Sequence, residues 1–166
     1  MFNLHAYTLA HVVISVVGIA AGLLVAAGML QGKRLNRWTA LFLWTTALTS
    51  ITGFGFPFDQ LLPSHIVGAL SLIALAVAGV ARYGRRLAGA WRLAYVVTAM
   101  IALYFNVFVL IVQLFRRVPA LQDLAPTQSE PPFAIAQLCV LALFIALTVA
   151  AALRFHPQPE FKVVAL

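Results

Sequence analysis

A chain of 166 residues that is 63% hydrophobic and only 9% charged cannot cover itself with polar surface in water, where a globular domain carries about 25% charged residues. That excludes a soluble enzyme or carrier and predicts an all-α integral membrane protein. The formal charge of +7, from eleven bases against four acids, reads as the basic bias of cytoplasmic loops rather than as a nucleic-acid surface.

A helix crosses the hydrocarbon layer in about 20 apolar residues. Five segments suit: 7–30, 38–56, 64–81, 91–115 and 133–153. Backbone groups in lipid must be satisfied within the segment, so each is expected to be a helix. The alternating short strands of a β-barrel do not appear in the pattern. The first segment opens with MFNLHAYTLAHVV, which lacks the positive region of a cleaved signal peptide and is expected to remain as a span. The second ends at Pro57, the third follows Pro63 and the fifth follows Pro131 and Pro132. Proline is tolerated at those boundaries because the first-turn N–H has no helical partner. The fourth ends at Arg116 and Arg117. Residues 1–166 are expected to form a single membrane domain, with no internal repeat.

Charge predicts the orientation. Lys33, Arg34, Arg37, Arg82, Arg85, Arg86, Arg92, Arg154 and Lys162 collect on one side. Arg116, Arg117, Asp59, Asp123 and Glu130 fall on the other. The basic side is expected to be cytoplasmic, which puts the N-terminus out and the C-terminus in, in a bacterial inner membrane. Trp38 and Trp91 at the cytoplasmic boundaries fit an aromatic belt.

On this topology His5, His11 and His65 gather at the outer end with Asp59, Gln113 and Gln137. Tyr7, His11, Ser15, Gly18 and Gly22 recur at helical spacing and share one face, which is expected to turn inward. His65 and Gly68 are three residues apart and adjacent on a second helix, and Gly18 lies two turns below His11. Two imidazoles on two helices, each lined by small residues, suit the axial ligation of one haem b, provided that the first and third helices are neighbours. Tyr7, Asn106, Gln113 and Gln137 would then orient the ligands. A metal version uses His5, His11, His65 and Asp59 to hold zinc or copper. Structural roles compete with both. An interfacial histidine can cap backbone groups, Asp59 is an ordinary turn residue beside Pro63, and the stripe of Thr45, Thr49, Thr52 and Gly53 is a packing seam. Cys139 is the only cysteine, which allows no disulfide within the chain and suggests a packing role.

The H-x-x-G at His65 and Gly68 resembles the His-x-x-Gly steps of membrane b-type cytochromes. As a whole the chain resembles small multi-spanning inner-membrane proteins of proteobacteria. The cytochrome resemblance implies haem b and electron exchange with a quinol or a periplasmic carrier. The chain departs from two-haem members in having no intramembrane histidine on the cytoplasmic side, so the resemblance extends to one haem at most.

Two other function classes fit the same residues. One is a small-solute transporter or channel built as a homo-oligomer, with Asn106 and the threonine stripe continuing an outer vestibule inward. The other is an accessory subunit of a larger membrane complex, held by helix packing. The outer loop 116–132 is long enough to close as a lid. Hydrolytic and nucleotide chemistry are not indicated: there is no phosphate-binding glycine loop, no Ser-His-Asp set, no paired carboxylates and no lysine within a span.

Overall fold

The computed structural model describes residues 4–56 and 63–156. Among them there is no strand. Six α-helices run in chain order: α1 (Leu4–Leu30), α2 (Asn36–Gly53), α3 (Pro63–Gly79), α4 (Ala90–Arg117), α5 (Pro119–Leu124) and α6 (Pro131–Arg154). A π-helical turn, Val80–Gly84, extends α3.

The ends follow local chemistry. α1 stops where Gly32 adopts a left-handed φ of 69°. There Lys33 N–H reaches back to Gly28 O at 2.8 Å and Gly32 N–H to Met29 O at 3.0 Å, a Schellman closure that satisfies the last carbonyls. α5 and α6 begin on prolines, whose missing N–H is no loss in a first turn.

Among the described residues, four helical stretches are long and apolar enough to cross a membrane: Leu4–Leu30, Ser64–Gly84, Ala90–Arg117 and Pro131–Arg154. α2, the second of the five expected spans, is not among them. Its 18 residues open with Asn36 and Arg37 and include Thr39, Thr45, Thr46, Thr49, Ser50 and Thr52, which lower its hydropathy. Its position accounts for that composition, because α2 packs against α1, α3 and α4, and small polar side chains allow close approach between helices.

α4 is the hub, packing on α1, α2, α3, α5 and α6. Its buried Tyr95, Val96, Ala99, Met100 and Leu103 meet Val25, Met29, Phe42, Leu75, Phe144 and Phe155 in one core. Gly22 of α1 permits a close crossing, since a Cβ there would stand 2.5 Å from Leu103 and 2.9 Å from Phe42. α6 is peripheral. It buries one line of residues, Gln137, Phe144 and Ala151, and only 6% of its apolar window is buried, against 33–39% for the other three stretches.

Candidate functional site: the C-terminal end of α2

The last two turns of α2 present different faces to different neighbours. Thr49, Thr52 and Gly53 face α1, whereas Ser50 and the following Phe54 face α3. This is the consequence of a 3.6-residue repeat on a helix held between two others.

On the α1 side, Thr52 is the node. Tyr7 donates its hydroxyl to Thr52 O at 2.6 Å, a carbonyl in the last turn of α2, where helical acceptors run short of donors. His11 Nδ1 lies 2.8 Å from Thr52 Oγ1. The Thr52 hydroxyl has one proton, and its short bond is to Leu48 O at 2.7 Å, with Thr49 O at 3.2 Å. Its oxygen therefore accepts from His11 Nδ1–H, and in the neutral ring the lone pair is then on Nε2. One turn along, Ser15 donates to His11 O at 2.7 Å and lies 3.3 Å from Thr49 Oγ1. Phe56 closes the group, with its ring edge-on to Tyr7 at 5.0 Å and to His11 at 5.1 Å. Gly55 is required here, because a Cβ at that position would collide with the Tyr7 hydroxyl.

On the α3 side, His65 is 6% exposed and stacks on Phe54, with 5.5 Å between centroids and 23° between planes. Gly68, one turn on, makes room for the same ring: a Cβ there would come within 3.3 Å of Phe54. The His-x-x-Gly step thus seats a phenyl ring.

The two imidazoles occupy two sides of the α2 terminus. Among the described residues α1 packs on α2 and α2 on α3, and α1 and α3 form no comparable seam. The seam between the first and third helices on which a shared haem depended is at most marginal among these residues. A haem held by both His11 and His65 would need the volume that Phe54, Phe56 and the last turn of α2 fill, so the residues present do not fit it in this arrangement. His5 is exposed on the first turn of α1. Asp59 lies outside the described residues, and among those described no three His, Cys, Asp or Glu side chains gather as metal ligands.

The amides of the expected site also lie apart. Asn106 donates to Thr46 Oγ1 at 3.1 Å, tying α4 to α2. Gln137 donates to Phe108 O at 3.2 Å, tying α6 to α4, while its buried Oε1 has no hydrogen-bond partner. Gln113 is exposed. Gly18 is buried below His11, where a Cβ would meet Thr45 and Thr46 hydroxyls at 3.1 and 3.3 Å.

The connection between α4 and α6 folds over the end of α4. Gln128 donates to Val112 O at 3.1 Å, and Phe115, Arg116, Gln122, Pro126, Thr127 and Gln128 line an open polar pocket of about 440 Å³. Glu130 accepts from Thr127 N–H and Oγ1 at 3.1 and 2.9 Å and from Ser129 N–H at 3.1 Å. Loss of water contact would raise its carboxyl pKa, but these hydrogen bonds outweigh that and hold it below the usual carboxylate range.

One charged residue with structural weight was grouped with the loop charges in the sequence. Arg82 is 7% exposed, its Nη2 donates to Asn36 Oδ1 at 2.6 Å, and its guanidinium lies over Tyr95 at 5.1 Å. The signal was available in spacing, because Arg82 continues the buried series Ser71, Leu75, Ala78 at steps of four, three and four. Compared with protein-family models, curated proteins and solved structures, the chain matches none.

Proposed function

We propose that this chain is an accessory subunit of a bacterial inner-membrane complex. It spans the bilayer five times, with its N-terminus outside and its basic end in the cytoplasm. The observation that carries this reading is the use of the span-depth polar side chains. Tyr7, His11, Asn106 and Gln137 each bond to a neighbouring helix, which is how polar residues act as glue between transmembrane helices. α2 then crosses as the fifth span, shielded by its neighbours from much of the lipid.

The partner surface in this reading is the outward side of α6. That helix is little buried by its own bundle and turns Cys139, Ala142 and Ala146 outward among Leu138, Leu143 and Ile145. Small residues on a lipid-facing helix allow another helix to approach closely. In mild detergent the chain is expected to migrate well above its own 18.0 kDa. Ala142→Trp with Ala146→Trp, both at exposed positions, is expected to release a folded single chain. Migration as a single chain before and after the change overturns the proposal.

A second reading is favoured by the lone pair on His11 Nε2. It keeps His11 as a ligand of haem b, zinc or copper, with the remaining ligands drawn from Asp59 or a second copy of the chain. An absorption band or bound metal that disappears in His11→Ala supports it; colourless, metal-free protein rejects it.

A further inference from the structure

The basic end of the bundle has too little negative charge to balance it. Lys33, Arg34, Arg37, Arg82, Arg85, Arg86, Arg92 and Arg154 lie at this end, and among the described residues no acidic side chain does. Arg82 is the extreme case. It is more than nine-tenths buried, yet its partners are neutral: Asn36 Oδ1 and the rings of Tyr95 and Tyr83, 5.1 and 5.9 Å away. A buried cation with neutral partners alone is strongly unfavourable, which is why buried charges are found paired. Two residues before Asn36, Arg34 Nε is buried and donates to no group. The α1–α2 turn and the π turn after α3 meet at the Asn36–Arg82 bond, and Arg34, with its unused guanidinium donor, stands two residues before Asn36.

We infer that this end binds a phosphate-bearing anion, recognised by Arg34 and Arg82, and that its source is the headgroup of an anionic phospholipid. The guanidinium fork matches the paired oxygens of a phosphate. The site lies where the helices end, the depth at which headgroup phosphates lie, and basic pockets between helix ends on the cytoplasmic side recognise anionic headgroups. Arg85, resting over Trp91 at 5.2 Å, adds a further cation beside an aromatic ring of the interface type. The inference uses the membrane placement proposed above but not the accessory role, and its readout is lipid preference, not assembly size.

The test places the full chain in nanodiscs of neutral phosphatidylcholine, with or without phosphatidylglycerol, and follows thermal unfolding and retained lipid. The expected result is a higher midpoint with phosphatidylglycerol and preferential retention of that lipid. Each of Arg34→Gln and Arg82→Gln is expected to weaken the preference about fivefold, and Arg116→Gln, at the other end, to leave it unchanged. Arg34 is half-exposed in a turn, so its variant keeps the test informative if Arg82→Gln does not fold. Equal behaviour in both lipids, or a preference that survives Arg34→Gln, overturns the site. Inorganic phosphate reproducing the midpoint shift in neutral nanodiscs, without lipid preference, overturns the lipid source. A preference that appears only in Glu160→Gln assigns the counter-charge to the chain's own tail and also overturns it.

Discussion

Thr52 shows how much one side chain can organise at the end of α2. Its carbonyl receives Tyr7 and its hydroxyl oxygen receives His11, so two points of α1 are fixed to the last turn of α2. Gly55→Ala is expected to push the Tyr7 hydroxyl off that carbonyl. An overpacked contact and a lost hydrogen bond together cost about 1–3 kcal/mol, read as a lower unfolding midpoint in detergent. Tyr7→Phe alone should cost about 1 kcal/mol, and combining it with Gly55→Ala should add little to the glycine change, because both remove the same bond. The shared face of Tyr7, His11 and Ser15 was legible in sequence from the helical repeat alone. What that face meets was not. Thr52 looked like one of several interchangeable threonines, and only packing chooses which of them stands opposite an imidazole. The His65 and Gly68 pair was legible as a flat cleft, but spacing carries no information on whether a cofactor or Phe54 fills it.

At the scale of elements, α6 is held at both ends by polar caps as well as by its single buried line. Arg92 Nη1 donates to Ala152 O and Phe155 O, both at 2.8 Å, satisfying carbonyls at the helix C-terminus with a cation. Arg92→Ala is expected to cost about 1.5–3 kcal/mol, the range for hydrogen bonds to a charged group, and to raise hydrogen exchange at the end of α6. At the other end Glu130 holds the Thr127–Ser129 turn ahead of α6. Its pKa is depressed in the folded protein, so its contribution is present above the unfolded carboxylate value and is lost as pH falls through the folded one. Protease cleavage within 126–130 should therefore rise on acidification in the native chain and be insensitive to pH in Glu130→Gln. The helices themselves were readable from apolar length and boundary prolines. α5 was not, since six polar-to-mixed residues inside a proline-rich loop carry no clear period. The inward Arg82 was missed because a charge at a helix end is ordinarily solvated.

For the whole molecule, the composition that excluded a soluble domain also fixed an all-helical bundle, and four apolar stretches long enough to cross a membrane stand in the structure. The crossing of α2 is the part that hydropathy cannot decide, because its hydroxyl-rich faces suit a helix packed among others. Cysteines introduced as Arg37→Cys and Ser64→Cys, in a Cys139→Ala background, are expected to react with an impermeant maleimide from opposite sides of the membrane. Labelling from one side would remove α2 from the spans. The central claim is that the polar residues around the end of α2 join helices to one another, and the most direct test is a double-mutant cycle between His11→Ala and Thr52→Val, followed by reversible unfolding in detergent. The account predicts that both single changes destabilise and that they couple by about 0.6–1.7 kcal/mol, the range for interhelical hydrogen bonds in membranes. Strictly additive effects would contradict it.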